Sequence, residues 1–259
     1  MNAKDHHPPV ISVRDVVAHY GDTLVLDGIS FEVQSGEIFL IVGGSGCGKT
    51  TLLKHMTGLL RPTSGSVLYS GVDITTLDED RLATTQQNIG IAFQSGGLFN
   101  SMTIGENVAL PLREYGQVDE ALIEGIVRLK LSLVGLAAAQ HLLPDELSGG
   151  MRKRAGLARA MALDPPIIYF DEPSAGLDPI IASGLDDLIL DIRKLLGITF
   201  VIVTHELESI RKIADRIMML EQGKVIFLGT VKEAESSGAE RVRQFFERRP
   251  DAHIAQRKA

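Results

Sequence analysis

A glycine-rich stretch over residues 43–51 constrains the fold of this chain more than any other feature of its sequence. It follows an apolar run at residues 38–42 and precedes Leu52 and Leu53, so the sequence predicts a buried strand, a glycine loop and a helix start. This is the context that the phosphate-binding motif G-x-x-x-x-G-K-[ST] requires. The stretch consists of Gly43, Gly44, Ser45, Gly46, Cys47, Gly48, Lys49, Thr50 and Thr51.

The chemistry of this loop follows from its glycines and from the helix after it. Glycines let main-chain N–H groups turn inward around phosphate oxygens, and a helix N-terminus adds partial positive charge. Lys49 is then placed to reach the outer phosphates, and the Thr50 hydroxyl is placed to ligate Mg²⁺. A glycine-rich turn that binds nothing is the alternative, which the complete motif disfavours.

Charge and composition exclude several classes of protein. A net charge of -7 gives the chain no overall attraction for nucleic acid, so no nucleic-acid partner is expected. Its single cysteine, Cys47, can form no internal disulfide, which fits a reducing compartment. The first residues are polar and no apolar run approaches the roughly 18 residues of a membrane span, so neither a signal peptide nor a span is predicted.

Two carboxylates end a continuous apolar run that begins at Ile167. A buried strand of this kind belongs in a parallel sheet, whose carboxyl edge is where ligands bind. Asp171 is therefore placed to hold Mg²⁺ through water, and Glu172 to orient or deprotonate an attacking water. His205 ends a second such run at residues 199–204 and shares that edge, which favours contact with a terminal phosphate over a purely structural hydrogen bond.

A second glycine-containing helix start follows at Ser148, Gly149 and Gly150, and the helix is predicted to continue to about residue 163, before Pro165. Ser148 is a natural N-cap, and the glycines allow close approach of a second anionic group. One nucleotide can hardly use two phosphate-type helix starts unless they come from different subunits. A simple helix cap is the alternative interpretation.

Three cations lie near the start of this helix: Arg152, Lys153 and Arg154. Cations at a helix N-terminus oppose the helix dipole, so local helix stability does not account for them. We expect at least one of them to face phosphate or an acidic partner surface. A solvated basic face is the alternative.

The pattern along the whole chain predicts an α/β fold. Alternating, β-rich segments at residues 10–33 and 63–69 predict an antiparallel sheet beside the phosphate loop. From about residue 95 to residue 165 the pattern is helical, with a capping box at Thr103 and Glu106, which predicts a helical insertion into an α/β core.

These segments, in this order, resemble the motifs of an ABC transporter ATPase. The resemblance implies the ABC ATPase fold: a RecA-like P-loop core, an antiparallel β-subdomain and an inserted helical subdomain, all within one domain at residues 1–247. The matching segments are residues 43–51 (Walker A), Gln94 (Q-loop), residues 147–151 (signature), residues 167–172 (Walker B), residues 174–178 (D-loop) and His205 (switch histidine).

The resemblance also implies how these residues act. Two copies of the chain would sandwich two ATP molecules, each held between the phosphate loop of one subunit and Ser148, Gly149 and Gly150 of the other. Asp178 of the D-loop would join the ATP site, and Tyr20, which by itself reads as a sheet-edge aromatic, would stack on the adenine. Gln94 would sense the terminal phosphate and, with Thr50 and Asp171, hold Mg²⁺, while Glu172, His205 and Lys49 form the catalytic set.

A narrower resemblance concerns the cargo. Residues 93–99, residues 103–108 and the basic segment 151–160 resemble the ATPase of the Mla class of phospholipid transporters. This implies a homodimer at the cytoplasmic face of the inner membrane, bound through a permease and working with an MCE-domain lipid-binding protein and a STAS-domain protein. Such a system maintains the lipid asymmetry of the outer membrane.

Other functions share most of these motifs. A solute importer or a cell-division module that drives no transport differs from a lipid transporter only in its permease partner. A nucleic-acid or repair ATPase would be expected to carry a large insertion or coiled coil and a basic balance. A simple P-loop kinase would not explain residues 147–151.

Residues 239–259 exceed the needs of the ATPase core, and 248–259 are interpreted as a C-terminal tail. Val242, Phe245 and Phe246 fall on one face of a predicted helix, with arginines around them. We expect this segment to dock on the partner ATPase subunit or on the small regulatory protein, with anionic lipid as a weaker option. A helix packed on its own domain is the alternative.

Overall fold

The computed structural model describes residues 8–116 and 118–249, and a six-stranded sheet lies at the centre of this part of the chain. Four of the neighbouring strand pairs are parallel and the hairpin at one edge is antiparallel. In spatial order the strands are β10 (Lys224–Gly229), β9 (Arg216–Glu221), β3 (Ile38–Gly43), β8 (Thr199–Val203), β7 (Ile167–Asp171) and β6 (Ile89–Ala92).

The three central strands β3, β7 and β8 are buried at every residue. Both faces of these strands are covered, so their sequences read as continuous apolar runs rather than as alternating ones. Along β3, Ile38, Leu40 and Val42 join one hydrophobic core, whereas Phe39 and Ile41 join the other. Each strand thus joins two cores, which fixes its carboxyl end firmly at one edge of the sheet.

The core containing Phe39 and Ile41 is completed by a four-stranded antiparallel sheet and by the first helix. This confirms the antiparallel subdomain predicted beside the phosphate loop. Its strands are β1 (Ile11–Tyr20), β2 (Thr23–Val33), β4 (Ser64–Tyr69) and β5 (Val72–Asp73), and the helices on this side are α1 (Lys49–Met56) and α2 (Glu79–Gln86).

The opposite core includes the predicted helical insertion. Its helices are α3 (Ile104–Tyr115), α4 (Glu120–Leu133) and α5 (Gly149–Ala160), followed in the chain by α6 (Pro179–Leu196) and α7 (Leu207–Ile213). Thr103 forms the predicted capping box with Glu106 at the start of α3. Helix α5 begins with Ser148 as its N-cap, as predicted, but it ends at Ala160 rather than near residue 163, because a turn over residues 161–163 leads into Asp164 at a φ of 53°.

Two short helices, α8 (Val231–Glu235) and α9 (Glu240–Phe246), end the described chain. Val242 and Phe246 are buried in the core of their own domain, with exposed fractions of 0% and 7%. The prediction that these two side chains dock on another protein was therefore wrong, since the chain itself covers that face. The remainder of the predicted tail, residues 250–259, lies outside the described residues.

No helix in residues 8–116 and 118–249 combines the length and the apolar character needed to cross a lipid bilayer.

Candidate active site

The phosphate loop connects strand β3 to helix α1 and turns through glycines with positive φ angles. Gly43 has a φ of 147° and Gly48, the N-cap of α1, has a φ of 108°, a region that side chains rarely adopt. The Lys49 side chain folds back over the loop, and its Nζ donates to the carbonyls of Gly43 and Gly44 at 2.9 Å each. The Lys49 ammonium therefore lies at the loop before a phosphate binds there.

A cavity of about 590 Å³ opens above the loop and is lined by half of the site residues predicted from sequence. Cys47 lines the adjoining cavity and is itself buried, and burial raises the pKa of its thiol. Thr51 follows Thr50 in the first turn of α1. The predicted residues that line the first cavity are Gly43, Gly44, Ser45, Gly46, Lys49, Thr50, Gln94, Glu172 and His205.

Asp171 and Glu172 lie at the carboxyl end of β7, as predicted. Asp171 is 9% exposed, and burial, followed by the charge of Glu172, raises the pKa of its carboxyl, while Lys49 and a hydrogen bond with the Thr50 hydroxyl oppose the shift. Oδ1 of Asp171 and Oε2 of Glu172 are buried without a hydrogen-bond partner among the described residues. Two buried carboxylate oxygens without partners indicate that a ligand belongs beside them.

His205 follows strand β8, which pairs in parallel with β7, so the two strand ends lie side by side. Its Nδ1 lies 2.9 Å from Oε1 of Glu172, and because an ionised carboxylate only accepts, the imidazole is the donor. Oε1 of Glu206, the next residue, lies 3.6 Å from Nε2 of His205. His205 is about half exposed, so one side of its ring faces the cavity while the other is held by Glu172.

The predicted signature residues do not line this cavity in the described part of the chain. Ser148 caps helix α5, and Gly149 lies against Leu177, where an added Cβ would be 3.3 Å from the leucine side chain. Asp178 caps α6 by accepting from two main-chain N–H groups at 3.0 Å each. Gly150 lies against Ile181.

Tyr20 also lies outside the cavity lining. It ends strand β1 and is 52% exposed. The ring is therefore free of the core, as an adenine-stacking residue would need to be. Its contact with a nucleotide stays a prediction.

Sequence reasoning missed two sets of residues at the site. The Lys153 ammonium donates to the main-chain carbonyl of Glu172 at 2.9 Å. In the sequence, only the position of this cation near a helix start, where a cation is unfavourable, indicated that it has a partner. Gln244 and Phe245 of α9, together with Arg248 and Arg249, line the same cavity as the phosphate loop. The sequence offered no signal for this, because a short apolar stripe does not specify which surface it meets.

Comparison with known proteins places these features in context. The family model described as "ABC transporter" matches residues 26–175. The chain is 41% identical over 238 residues to the intermembrane phospholipid transport system ATP-binding protein MlaF of Escherichia coli K12, covering 92% of this chain and 88% of that protein. It is 40% identical over 235 residues to the "Probable ribonucleotide transport ATP-binding protein mkl" of Mycobacterium leprae, covering 91% of this chain and 68% of the relative.

Solved structures of similar fold are also known. CbiO1 from Clostridium perfringens, part of the ABC transporter complex cbiONQ, has a TM-score of 0.82 and 28% identity, covering 98% of this chain and all of that one. The dimeric ATP-binding cassette MJ0796, bound to ADP and Pi in a post-hydrolysis state, has a TM-score of 0.78 and 30% identity, covering 85% of this chain and 98% of the other.

Proposed function

Since the chain belongs to the ABC transporter family of ATPases, we propose that it hydrolyses ATP to drive phospholipid transport by a membrane permease. The observation that carries the proposal is one cavity lined by the phosphate loop, Lys49, Glu172 and His205, in a chain 41% identical to a phospholipid transport ATPase. The family membership supports the ATPase, and the relative supports the cargo.

The phosphates of ATP bind in the loop between β3 and α1. The Lys49 ammonium exchanges its contacts with the carbonyls of Gly43 and Gly44 for contacts with phosphate oxygens. The N-terminus of α1 adds partial positive charge at the same place. These fixed charges stabilise the negative charge that develops on the phosphate oxygens during hydrolysis.

The residues at the mouth of this loop fit Mg²⁺. The Thr50 hydroxyl, the Asp171 carboxylate and the Gln94 amide offer oxygen ligands, and Oδ1 of Asp171 is buried without a partner among the described residues. Among the described residues, no group of three or more His, Cys, Asp or Glu side chains is arranged to hold a metal ion by itself, so phosphate oxygens would complete the shell. The ion would neutralise charge on the phosphates.

Glu172 activates the attacking water. Its carboxylate accepts a proton from the water as the water oxygen bonds to the terminal phosphorus, and the bond between that phosphorus and the bridging oxygen breaks to give ADP and inorganic phosphate. Oε1 of Glu172 is held by His205, and the buried Oε2 has no partner among the described residues. The oxygen without a partner is the one left to take the proton.

A second copy of the chain completes the site. Ser148, Gly149 and Gly150 do not line the cavity above their own phosphate loop, and in the proposed dimer they contact the terminal phosphate bound by a partner subunit. Asp178 lies beside them at the start of α6, and Tyr20 would stack on the adenine. The dimeric state of the MJ0796 cassette supports this arrangement.

The proposed cargo rests on the names of the relatives, and the proposed MCE-domain and STAS-domain partners rest on the resemblance to the Mla class. The relatives are named for different cargoes, phospholipid for MlaF and ribonucleotide for mkl. This chain matches 88% of the length of MlaF but 68% of the length of mkl. We therefore propose a peripheral subunit at the inner membrane with a permease, an MCE-domain lipid-binding protein and a STAS-domain protein. Mass spectrometry of the complex purified from native membranes in mild detergent tests this, because a different permease without bound phospholipid would contradict the cargo.

Glu172→Gln tests the catalytic assignment. The variant should bind ATP and form a lasting dimer while kcat falls at least about a hundredfold, because a positioned general base contributes at least that factor. Glu79→Gln, a change of an exposed glutamate in α2, is the matched control and should keep the wild-type rate. Near-normal hydrolysis by Glu172→Gln would remove Glu172 from the role of base.

A further inference from the structure

Lys153 is a buried lysine of the signature helix α5. Its residue is 5% exposed, and its ammonium donates to the main-chain carbonyl of Glu172 at 2.9 Å. Burial lowers the pKa of this ammonium, and the charges of Glu172 and Asp171 oppose that shift. The side chain therefore extends from the helical subdomain to the Glu172 carbonyl at the end of strand β7, where the charges of both active-site carboxylates act on it.

Burying the charge of Lys153 costs free energy that contacts within helix α5 do not offset. A buried ammonium loses most of its hydration, and Lys153, the fifth residue of α5, gains nothing from the helix dipole in return. Its two basic neighbours avoid this cost, because Arg152 and Arg154 are only half-buried, and Arg152 donates to the Leu147 carbonyl that precedes its own helix. Of these three cations, Lys153 is the one that contacts the end of strand β7, and the stability of the helix does not explain this contact.

The carbonyl that Lys153 holds belongs to a strained residue. Glu172 has a φ of 48°, a left-handed conformation that non-glycine residues rarely adopt and that needs support from its surroundings. Its N–H donates to the Val203 carbonyl at 2.8 Å, and among residues 8–116 and 118–249 its carbonyl otherwise receives only a 3.3 Å contact from the N–H of Ala175. The Lys153 ammonium is thus the shortest contact on the carbonyl side of this residue.

We propose that Lys153 is a positioning residue for ATP hydrolysis: by holding the Glu172 carbonyl, it fixes the backbone conformation that aims the Glu172 carboxylate at the attacking water. This inference rests on the proposed role of Glu172 as general base. Because Lys153 belongs to α5, the base is aimed correctly only while the signature helix of the same subunit keeps its place against the sheet.

Lys153→Met tests the proposal, since methionine retains much of the length of the side chain and removes its donor. In the full-length protein within its purified membrane complex, kcat should fall about tenfold, the loss expected when a reacting group is misplaced by a fraction of an ångström, while KM for ATP stays within about twofold. Lys153→Arg keeps a cationic donor and should recover most of the rate. A wild-type kcat in Lys153→Met would overturn the proposal.

Lys130→Met is the matched control. Lys130 is also buried in the helical subdomain, but its ammonium pairs with Asp164, away from the active site. This variant should show the wild-type kcat, and thermal unfolding of both variants reports any general loss of stability. An equal fall in kcat for Lys130→Met and Lys153→Met would make the effect a structural one and contradict a positioning role.

A double variant separates this inference from the assignment of the base. If Lys153 acts through Glu172, then Lys153→Met should cause no further loss of the residual rate in a Glu172→Gln background. A further tenfold fall in that background would overturn the inference, because Lys153 would then act independently. Normal hydrolysis by Glu172→Gln alone would instead overturn the base itself, whatever Lys153→Met does.

Discussion

Nδ1 of His205 lies 2.9 Å from Oε1 of Glu172, so the switch histidine and the proposed base form a hydrogen-bonded pair across two parallel strands. Replacing His205 by alanine would free Glu172 to turn from the phosphate and would remove the proposed contact of His205 with that phosphate. We expect kcat to fall about ten- to a hundredfold with ATP binding retained, measured by steady-state hydrolysis and by binding of a fluorescent ATP analogue. His141→Ala, at an exposed histidine of the helical subdomain, should have the wild-type rate. A wild-type rate for His205→Ala would contradict the role of this pair.

The Thr50 hydroxyl opposes the rise in the pKa of the Asp171 carboxyl, so the two side chains lie close enough to ligate the same ion. Thr50→Ala should weaken the apparent affinity for Mg²⁺ about tenfold, whereas Thr50→Ser, which keeps the hydroxyl, should resemble the wild type. The measurement is the ATPase rate as a function of Mg²⁺ concentration at fixed ATP. The same Mg²⁺ dependence in all three proteins would argue against this ligand.

Helix α5 packs closely on the backbone after Gln94 at Gly156, where an added Cβ would lie 2.5 Å from the Gly96 carbonyl oxygen and 3.0 Å from its Cα. Both contacts are to backbone, so Gly156→Ala should lower the free energy of unfolding by about 1 to 3 kcal/mol. Gly125→Ala is the control within helix α4. Its Cβ would meet no atom within 4 Å, so this substitution should raise stability by about 0.5 to 1 kcal/mol. Chemical denaturation measures both, and an unchanged midpoint for Gly156→Ala would disprove the close approach.

His55 is buried at the end of α1, and burial lowers the pKa of its imidazole, against a hydrogen bond from Nδ1 to the Leu60 carbonyl at 3.0 Å. As the pH falls below about 6.5, the unfolded chain binds a proton that the folded chain resists, so stability decreases toward acid. In His55→Gln this loss is absent, and the fall in unfolding free energy between pH 7.5 and pH 5.5 should be smaller than in the wild type. His141→Gln is the exposed control. Equal pH dependence in His55→Gln and the wild type would contradict the prediction.

Much of the fold could be predicted because its central strands carry their own signal. The runs that became β3, β7 and β8 are buried on both faces, and a chain buried in this way must be continuously apolar. The carboxyl ends of parallel strands meet at one edge, so the positions of Asp171, Glu172 and His205 followed from the sequence. The cavity that gathers Glu172 and His205 with the phosphate loop is consistent with this reasoning.

The contacts between subdomains could not be predicted in the same way. Nothing local to Lys153 identifies the Glu172 carbonyl, 19 residues away, as its partner. The apolar positions of α9 indicated a buried face but not the surface that buries it, so the sequence left docking on another protein and packing on the same domain both open, and Val242 and Phe246 lie in the core of their own domain. Both cases depend on how separate elements pack, which a pattern along one element does not contain.

Helix α5 has a consequence for how two ATP molecules are consumed. Its first residue, Gly149, would touch the phosphate held by a partner subunit, whereas Lys153, four residues later and about 6 Å along the helix axis, holds the base of its own subunit. In the proposed dimer, helix α5 of one subunit therefore contacts both ATP sites, and helix α5 of the other subunit does the same. Binding of ATP at one site would change the orientation of Glu172 at the other site, so the dependence of turnover on ATP concentration would be sigmoidal. Loss of Lys153 would make this dependence hyperbolic.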